Sequence, residues 1–136
     1  MKFAWHQDGG YVGYPHRAYL SCWVALDDMS EANGTISVLP YGRAGGSTIR
    51  AHSKEGGTND MVGYHGTDPG DLVEVPAGSV VVFSSQTFHR SGANTLPSLR
   101  RAYLCQYTAE PMYRPDGRLQ INAEPFWVDG VNVTKP

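Results

Sequence analysis

Alternating side chains indicate several short strands along this chain, and the clearest pattern lies in residues 18–27. Two alternating sets occupy that run: Leu20, Cys22, Val24 and Leu26, and between them Tyr19, Ser21, Trp23 and Ala25. Successive side chains of a strand point to opposite faces of the sheet. Both sets are mostly apolar, so the pattern predicts a strand that is covered on both faces.

Turn signals separate the other predicted strands. Asn33-Gly34 predicts a tight turn before a strand at 35–39. Further predicted strands lie at 71–75, 79–83, 86–90 and 99–107, with a hairpin at 115–117 and a last apolar run at 125–128. Because no stretch sustains the helical period, we predict an all-β fold of about seven or eight short strands.

Residues 41–70 interrupt this pattern with eight glycines and scattered charges. We predict a long, partly mobile excursion over one rim of the sheet. His52 and His65 lie in it, and these histidines, like His16, are expected to be solvated loop residues without a catalytic role.

Composition and charge exclude several classes of protein. The 136 residues suit one domain over 1–136, and 40% apolar with 18% charged residues is typical of a soluble globular chain. The net charge of −2 argues against a nucleic-acid or anionic-membrane partner. No apolar run reaches the roughly 18 residues of a membrane span. Two isolated cysteines, Cys22 and Cys105, are expected to be reduced thiols, which favours a cytoplasmic location.

Three residues could hold a metal ion. His6 and Asp8 stand two positions apart, so on a strand both point to one face while Gln7 points away. His89 follows the most β-rich run of the chain. Two histidines and one carboxylate form the facial triad of non-haem Fe(II), which leaves positions open for substrates. Zinc accepts the same ligands, so the residues alone do not fix the metal.

Arg100 is a candidate anion-binding residue. A hairpin between 86–90 and 99–107 would put Arg100 opposite His89, with Ser91 on the same face and Arg101 on the other. A guanidinium that points into a barrel needs an anion, and a dicarboxylate bound to the metal through one end would supply it.

The motifs together resemble a known family. They are 5–8 (WHQD), 22–28 (CWVALDD), 32–40 (ANGTISVLP), 76–79 (PAGS), 89–92 (HRSG) and 100–102 (RRA). In this order they resemble the phytanoyl-CoA dioxygenase family of Fe(II)/2-oxoglutarate-dependent oxygenases, which includes ectoine hydroxylases. The resemblance implies a double-stranded β-helix, the cupin-like jelly roll, with the metal inside its mouth.

The resemblance also implies roles for single residues. His6, Asp8 and His89 would ligate Fe(II), Arg100 would pair with the distal carboxylate of 2-oxoglutarate, Ser91 would hydrogen-bond it, and Trp23 would line the co-substrate pocket. The implied reaction uses O2, hydroxylates an unidentified small molecule and releases succinate and CO2. Because Asp8 keeps the carboxylate that halogenating relatives lack, hydroxylation is favoured over halogenation.

One departure from the family pattern lies at the front of the chain. Family members carry helices and a further strand before the His-x-Asp segment, whereas His6 is nearly the first residue here. We therefore expect a jelly roll that is incomplete at its N-terminus. Two alternatives stay open: a non-oxygenase metal-binding module of the cupin type, and a catalytically inactive fragment. The sequence specifies neither the substrate nor the oligomeric state.

Overall fold

Short strands dominate the computed structural model, which describes residues 2–54, 60–120 and 127–133. The strands are β1 Phe3–His6, β2 Leu20–Ala25, β3 Ile36–Leu39, β4 Ser53–Lys54, β5 Met61–Val62, β6 Asp71–Leu72, β7 Val80–Ser84, β8 Phe88–Ser91, β9 Ala102–Tyr107, β10 Trp127–Val128 and β11 Val131–Asn132. A 3-10 helix, Asp8–Tyr11, and one α-helical turn, α1 Tyr41–Ala44, complete the described elements. The all-β prediction is confirmed. Within the described residues, no helix is long and apolar enough to cross a bilayer.

Two antiparallel sheets form the body of the fold. One has the strand order β1-β8-β3-β6 and the other β7-β2-β9. Ile36 of the first sheet packs in one buried cluster with Trp23, Ala25 and Phe83 of the second, together with Met29. The sheets therefore face each other across a shared apolar core, which is the layer arrangement of a sandwich or jelly roll. The complete double-stranded β-helix topology stays a prediction.

Strand β2 is buried on one face only, whereas the sequence predicted a strand covered on both faces. Trp23 and Ala25 are 7% and 0% exposed on the inner face. On the outer face Leu20 of β2 is 50% exposed, and Val80 and Val82 of the adjacent strand β7 are each 55% exposed. In the described part of the chain the outer face of this sheet is thus open to solvent, because the residues that could cover an apolar face pack on the other sheet.

The 41–70 segment covers the outer face of the four-stranded sheet instead of passing over a rim. Ala44 of α1 and the partly buried Tyr64 pack on Trp5, Leu39 and Phe88 in a second core cluster. The segment also contains the β4–β5 hairpin, while residues 55–59 lie outside the described part. The many glycines suggested an irregular loop. Apolar side chains of the segment nevertheless cover the outer face of the four-stranded sheet, because burying that face is favourable.

The predicted hairpin between 86–90 and 99–107 is wrong. β8 lies between β1 and β3, and β9 pairs with β2 in the other sheet, with Ala102 opposite Ala25. The intervening residues cross from one sheet to the other, held at their start by hydrogen bonds from Gly92 N to Thr35 O and from Thr95 N to Ala32 O. Both edges of β8 are already occupied, so β9 cannot pair with it. Arg100 therefore does not lie opposite His89.

The tail contains two turns, and the first of them is the hairpin predicted at 115–117. Gly117, at φ +79, closes a turn between the bridged residues Tyr113 and Leu119. Asp129 and Gly130 both have positive φ and connect β10 to β11. Of the predicted apolar run at 125–128, positions 125 and 126 lie outside the described residues.

We expect Phe88→Ala to destabilise the fold by about 3–5 kcal/mol, because it opens a cavity in the second core cluster. Phe88 is 1% exposed, whereas Leu99 is 72% exposed. Urea denaturation compares the two, and Leu99→Ala should change the free energy of unfolding by less than about 0.5 kcal/mol. Equal losses for both variants would contradict the assigned packing.

Candidate metal centre

The local backbone brings His6 and Asp8 to one side. β1 ends at His6, Gln7 is extended at φ −115 and ψ 133, and Asp8 begins the 3-10 helix. The alternation of a strand therefore continues through Gln7, although Asp8 itself lies beyond the strand. His89 lies on β8 directly opposite His6 across the β1–β8 pair. Neighbouring strands thus supply both imidazoles, and the turn supplies the carboxylate.

Three potential ligand atoms converge within this arrangement, one from each of His6, Asp8 and His89, all within 4.8 Å of one another. Oδ1 of Asp8 lies 3.8 Å from Nε2 of His6 and 3.6 Å from Nε2 of His89. Each of the three side chains is 10% exposed. The two rings are close, with centroids 4.2 Å apart. A single metal ion could contact all three atoms.

Backbone carbonyls orient both imidazole rings. Nδ1 of His6 lies 2.8 Å from the carbonyl oxygen of Ala4, and Nδ1 of His89 lies 3.1 Å from that of Thr87. A carbonyl only accepts, so Nδ1 carries the proton in each ring. Each Nε2 then has a free lone pair directed at the cluster. This is the tautomer that histidine uses when it ligates a metal through Nε2.

Burial keeps His89 neutral. Burial, and to a smaller extent the neighbouring His6, lower the pKa of its imidazole to about 4. Asp8 and the Thr87 carbonyl act in the opposite direction but do not outweigh burial. A neutral imidazole at physiological pH has the free lone pair that a metal requires.

The second carboxylate oxygen of Asp8 is held by two side chains of the opposite sheet. The Ser21 hydroxyl donates to Oδ2, and Nε2 of Gln106 lies 3.0 Å from the same oxygen. Oδ1 is left for a metal. Ser21 and Gln106 are cross-strand partners on β2 and β9, which the sequence analysis did not assign to the site. The sequence did contain one signal for Ser21, since it is the polar residue on the face of β2 that also carries Trp23 and Ala25.

Arg100 and Arg101 have opposite environments. Arg101 forms a two-pronged pair with Asp27, with N–O distances of 2.7 and 3.0 Å, at the surface. Nε of Arg100 is buried and has no hydrogen-bond partner among the described residues. Arg100 stands an even number of positions before Ala102 and Gln106. Ala102 packs on the core between the sheets, and Gln106 bonds to Asp8. The two arginines therefore differ in environment, and the co-substrate role of Arg100 stays a prediction.

Ser91 and Trp23 are both buried, each at 7% exposure. Ser91 stands two positions after His89 on β8, so the two side chains share a face, and its Oγ accepts a 3.2 Å bond from the Phe3 amide. The Ser91 hydroxyl proton can still donate. Trp23 packs in the core with Phe83, whose ring centroid is 4.6 Å from that of His89. Its described contacts are those of a core residue, and its co-substrate role stays a prediction.

Two tyrosines border the cluster as neutral phenols. The Tyr11 ring stands edge-on to His6 with centroids 5.6 Å apart, and burial is the main cause of its raised pKa. Tyr19 is 8% exposed, and burial together with the charge of Asp8 raises its pKa well above its usual value. Neither phenol adds negative charge to the site at physiological pH.

Comparison with known sequences agrees with this geometry. Residues 2–102 match the phytanoyl-CoA dioxygenase (PhyH) family. A "Probable phytanoyl-CoA dioxygenase" of Caenorhabditis elegans is 32% identical over 117 residues, covering 80% of this chain and 37% of that protein. An "Ectoine dioxygenase" of Stutzerimonas stutzeri (strain A1501) is 31% identical over 119 residues, covering 73% of this chain and 39% of that protein.

Solved structures share the fold. EvdO2 from Micromonospora carbonacea var. aurantiaca, complexed with 2-oxoglutarate, superposes with a TM-score of 0.60 at 27% identity. The match covers 82% of this chain and 49% of EvdO2, so the chain spans less than half the length of the relatives it matches. With the family match over residues 2–102, the predicted resemblance is confirmed, and this chain belongs to the phytanoyl-CoA dioxygenase family.

Proposed function

We propose that this chain provides the metal and co-substrate centre of an Fe(II)/2-oxoglutarate-dependent dioxygenase that hydroxylates a small molecule. One observation carries the proposal: two Nε2 atoms and one carboxylate oxygen converge, while the other polar atoms of the same side chains are occupied. Such a cluster is prepared for a cation, because its free lone pairs all face one point.

The residues fit an Fe(II) ion. Two neutral imidazoles and one carboxylate, from His6, His89 and Asp8, make the facial triad and leave open positions for 2-oxoglutarate and O2. When bound, Fe(II) would supply the oxygen activation that couples conversion of 2-oxoglutarate into succinate and CO2 to hydroxylation of the substrate. The chain itself orients the ligands through backbone carbonyls, and the core residue Phe83 packs against the His89 ring.

Arg100 fits the distal carboxylate of 2-oxoglutarate. Its Nε is buried and lacks a partner among the described residues, and a buried polar atom without a hydrogen-bond partner is costly. A carboxylate would supply the partner with charge-assisted hydrogen bonds, and Ser91 would donate a further one. This arginine favours the oxygenase over a cupin-type module that binds metal without a co-substrate. The 2-oxoglutarate found in EvdO2 supports the same choice.

We leave the substrate at the level of a small molecule. Relatives carry names as different as ectoine dioxygenase and hypophosphite dioxygenase, so kinship does not select one. The retained carboxylate of Asp8 supports hydroxylation, since it occupies the position that a halide ligand would need.

Iron-dependent formation of succinate tests the proposed function. We expect the chain, supplied with Fe(II), 2-oxoglutarate and air, to form succinate, and His89→Ala to form none, because one ligand is lost. The surface variant Asp27→Ala serves as the control, since Asp27 pairs with Arg101 away from the cluster. Equal succinate formation by the original chain and His89→Ala would contradict the assignment.

Ser21→Ala should weaken metal binding about 10- to 100-fold, the usual effect of losing a partner of a metal ligand. The substitution removes the Ser21 hydroxyl from Oδ2 of Asp8 and leaves Gln106 as its remaining described side-chain partner, so the carboxylate is held less firmly. Titration with Co(II) measures the affinity. Ser30→Ala is the matched control, because the Ser30 hydroxyl contacts the Asn33 amide in a turn before β3. An unchanged affinity in Ser21→Ala would contradict this orienting role.

A further inference from the structure

A short segment of the chain, residues 48–52, lies directly on the turn that follows the metal ligands. A Cβ at Gly9 would come within 2.6 Å of Cδ1 of Ile49, and a Cβ at Gly10 within 2.3 Å of the His52 ring. Such distances leave no room for a side chain. The two glycines after Asp8 therefore allow the segment to touch the backbone of the turn itself.

Gln7, the residue between the ligands His6 and Asp8, ties this segment to the turn. Its side chain is fully buried. Nε2 donates to the carbonyls of Thr48, at 3.1 Å, and Gln86, at 2.6 Å. Oε1 accepts a 2.9 Å bond from the Arg50 amide. The side chain that points away from the cluster is thus fully hydrogen-bonded.

His52 holds the backbone of the same residue. Its Nδ1 donates to the Arg50 carbonyl at 2.8 Å, which leaves Nε2 unprotonated. Nε2 then accepts the amide hydrogen of Gln7 at 2.9 Å. The ring stacks on Phe88 with an interplanar angle of 22°, and a Cβ at Gly63 would come within 2.5 Å of it. The half-buried imidazole is therefore held by two hydrogen bonds and a ring stack, which the sequence-based expectation of a solvated loop histidine did not include.

We propose that His52 is a positioning residue for the metal centre, which fixes the Gln7 peptide and so the relative placement of His6 and Asp8. The inference rests on the proposed metal site. Rotation of the Gln7 peptide would move Asp8 relative to His6, because that residue alone connects them. His52 supplies the acceptor that opposes this rotation, and the Gln7 side chain anchors the same residue from the other direction.

A purely structural role makes a different prediction. If His52 only filled space, a ring of similar size would restore metal binding, and losses would appear only in thermal stability. If His52 acts through its acceptor, the affinity and the coordination geometry of the bound metal must change as well. Co(II) serves as the probe, since its visible absorption reports coordination geometry and needs no turnover.

The first test compares two substitutions at one position. His52→Phe keeps the ring but loses the acceptor, and we expect Co(II) affinity to fall on the order of 10-fold with an altered visible spectrum. His52→Gln places an amide oxygen near the position of Nε2, so it should restore most of the affinity and the original spectrum. Full affinity and an unchanged spectrum in His52→Phe would overturn the proposal.

A second variant tests the same contact without changing His52. Gly10→Ala must displace the His52 ring, so it should reproduce the spectral change of His52→Phe. Thr35→Val is the stability control, because it removes a buried hydroxyl bond to Val73 O at 2.7 Å away from the turn. It should lower the melting temperature and leave the Co(II) spectrum unchanged. A Gly10→Ala spectrum identical to that of the original chain would overturn the proposal.

Co(II) binding by the original chain distinguishes a failure of this inference from a failure of the proposed function. If it binds Co(II) while His52→Phe binds equally well, the positioning role is wrong and the metal site stands. If the original chain does not bind Co(II), the metal site is wrong, and the role of His52 falls with it.

Discussion

Asp8→Ala is expected to weaken Fe(II) binding by more than about 100-fold. This exceeds the loss expected when a residue that only hydrogen-bonds to a metal ligand is removed. The substitution removes the one charged ligand atom, Oδ1, that lies within 4 Å of both Nε2 atoms. Two neutral imidazoles would then have to hold a divalent cation alone. Anaerobic titration with Fe(II), followed by equilibrium dialysis, measures the change.

The control for Asp8→Ala is Asp27→Ala, which removes an aspartate that follows β2. Asp27 pairs with Arg101 at the surface, so Fe(II) affinity should remain within about 2-fold of the original, since exposed ion pairs contribute little. If Asp8→Ala retained the original affinity, or if both variants lost it equally, the assignment of the cluster as a metal site would be contradicted.

Arg100→Ala is expected to weaken 2-oxoglutarate binding at least 30-fold, because loss of a buried charge pair costs about 2–5 kcal/mol. Fe(II) affinity should change little, since the guanidinium is not one of the convergent ligands. Anaerobic isothermal titration of the metal-free protein with Fe(II), and then of the metal-loaded protein with 2-oxoglutarate, provides both values. A variant that lost metal and co-substrate together would point to misfolding or to a direct role at the cluster.

Arg101→Ala is the matched control at the next position. Its guanidinium is already paired with Asp27 and points to solvent, so 2-oxoglutarate affinity should be unchanged. If Arg101→Ala were the sensitive variant, the alternation that turns Arg100 inward would be wrong. Because the two substitutions are chemically identical, a difference between them depends on position alone.

The sequence predicted much of the fold because local patterns determine short strands. Apolar alternation located β2, a β-rich run located β7, and Asn33-Gly34 located the turn before β3. The two-residue spacing of His6 and Asp8 also placed both side chains on one side of the chain. These features depend on neighbours in sequence, which a pattern can report.

Long-range pairing could not be predicted in the same way. A hairpin was inferred for 86–90 and 99–107 because they are consecutive, but β8 and β9 belong to different sheets. The choice depends on which strand edges are already occupied by β1, β2 and β3, and no local pattern reports that. Arg101 pairs with Asp27 at the surface, whereas the co-substrate role of Arg100 stays a prediction, since both residues precede β9.

Residues that support the site escaped prediction for a related reason. Ser21 and Gln106 come together only because β2 and β9 are paired, and both then reach Asp8. His52 lies in a glycine-rich segment whose sequence suggested irregular, solvated chain. Its role depends on a backbone contact with Gln7, 45 positions away, that no motif records.

The fold explains why the cluster is buried, because it lies between the two sheets. The four-stranded sheet supplies the imidazoles, and the three-stranded sheet supplies the partners of the carboxylate. The site thus depends on the packing of the two sheets through Trp23, Ile36 and Phe83. Substitutions that loosen that packing should weaken metal binding even though they touch no ligand.

Anaerobic addition of Fe(II) and then 2-oxoglutarate to the metal-free protein tests the central claim most directly. Chelation of a keto acid to Fe(II) produces a visible charge-transfer band, and we predict that this band needs both additions and is absent in Asp8→Ala. A protein that melts cooperatively yet shows no band after both additions would contradict the account, because its folded cluster would then not form the oxygenase centre.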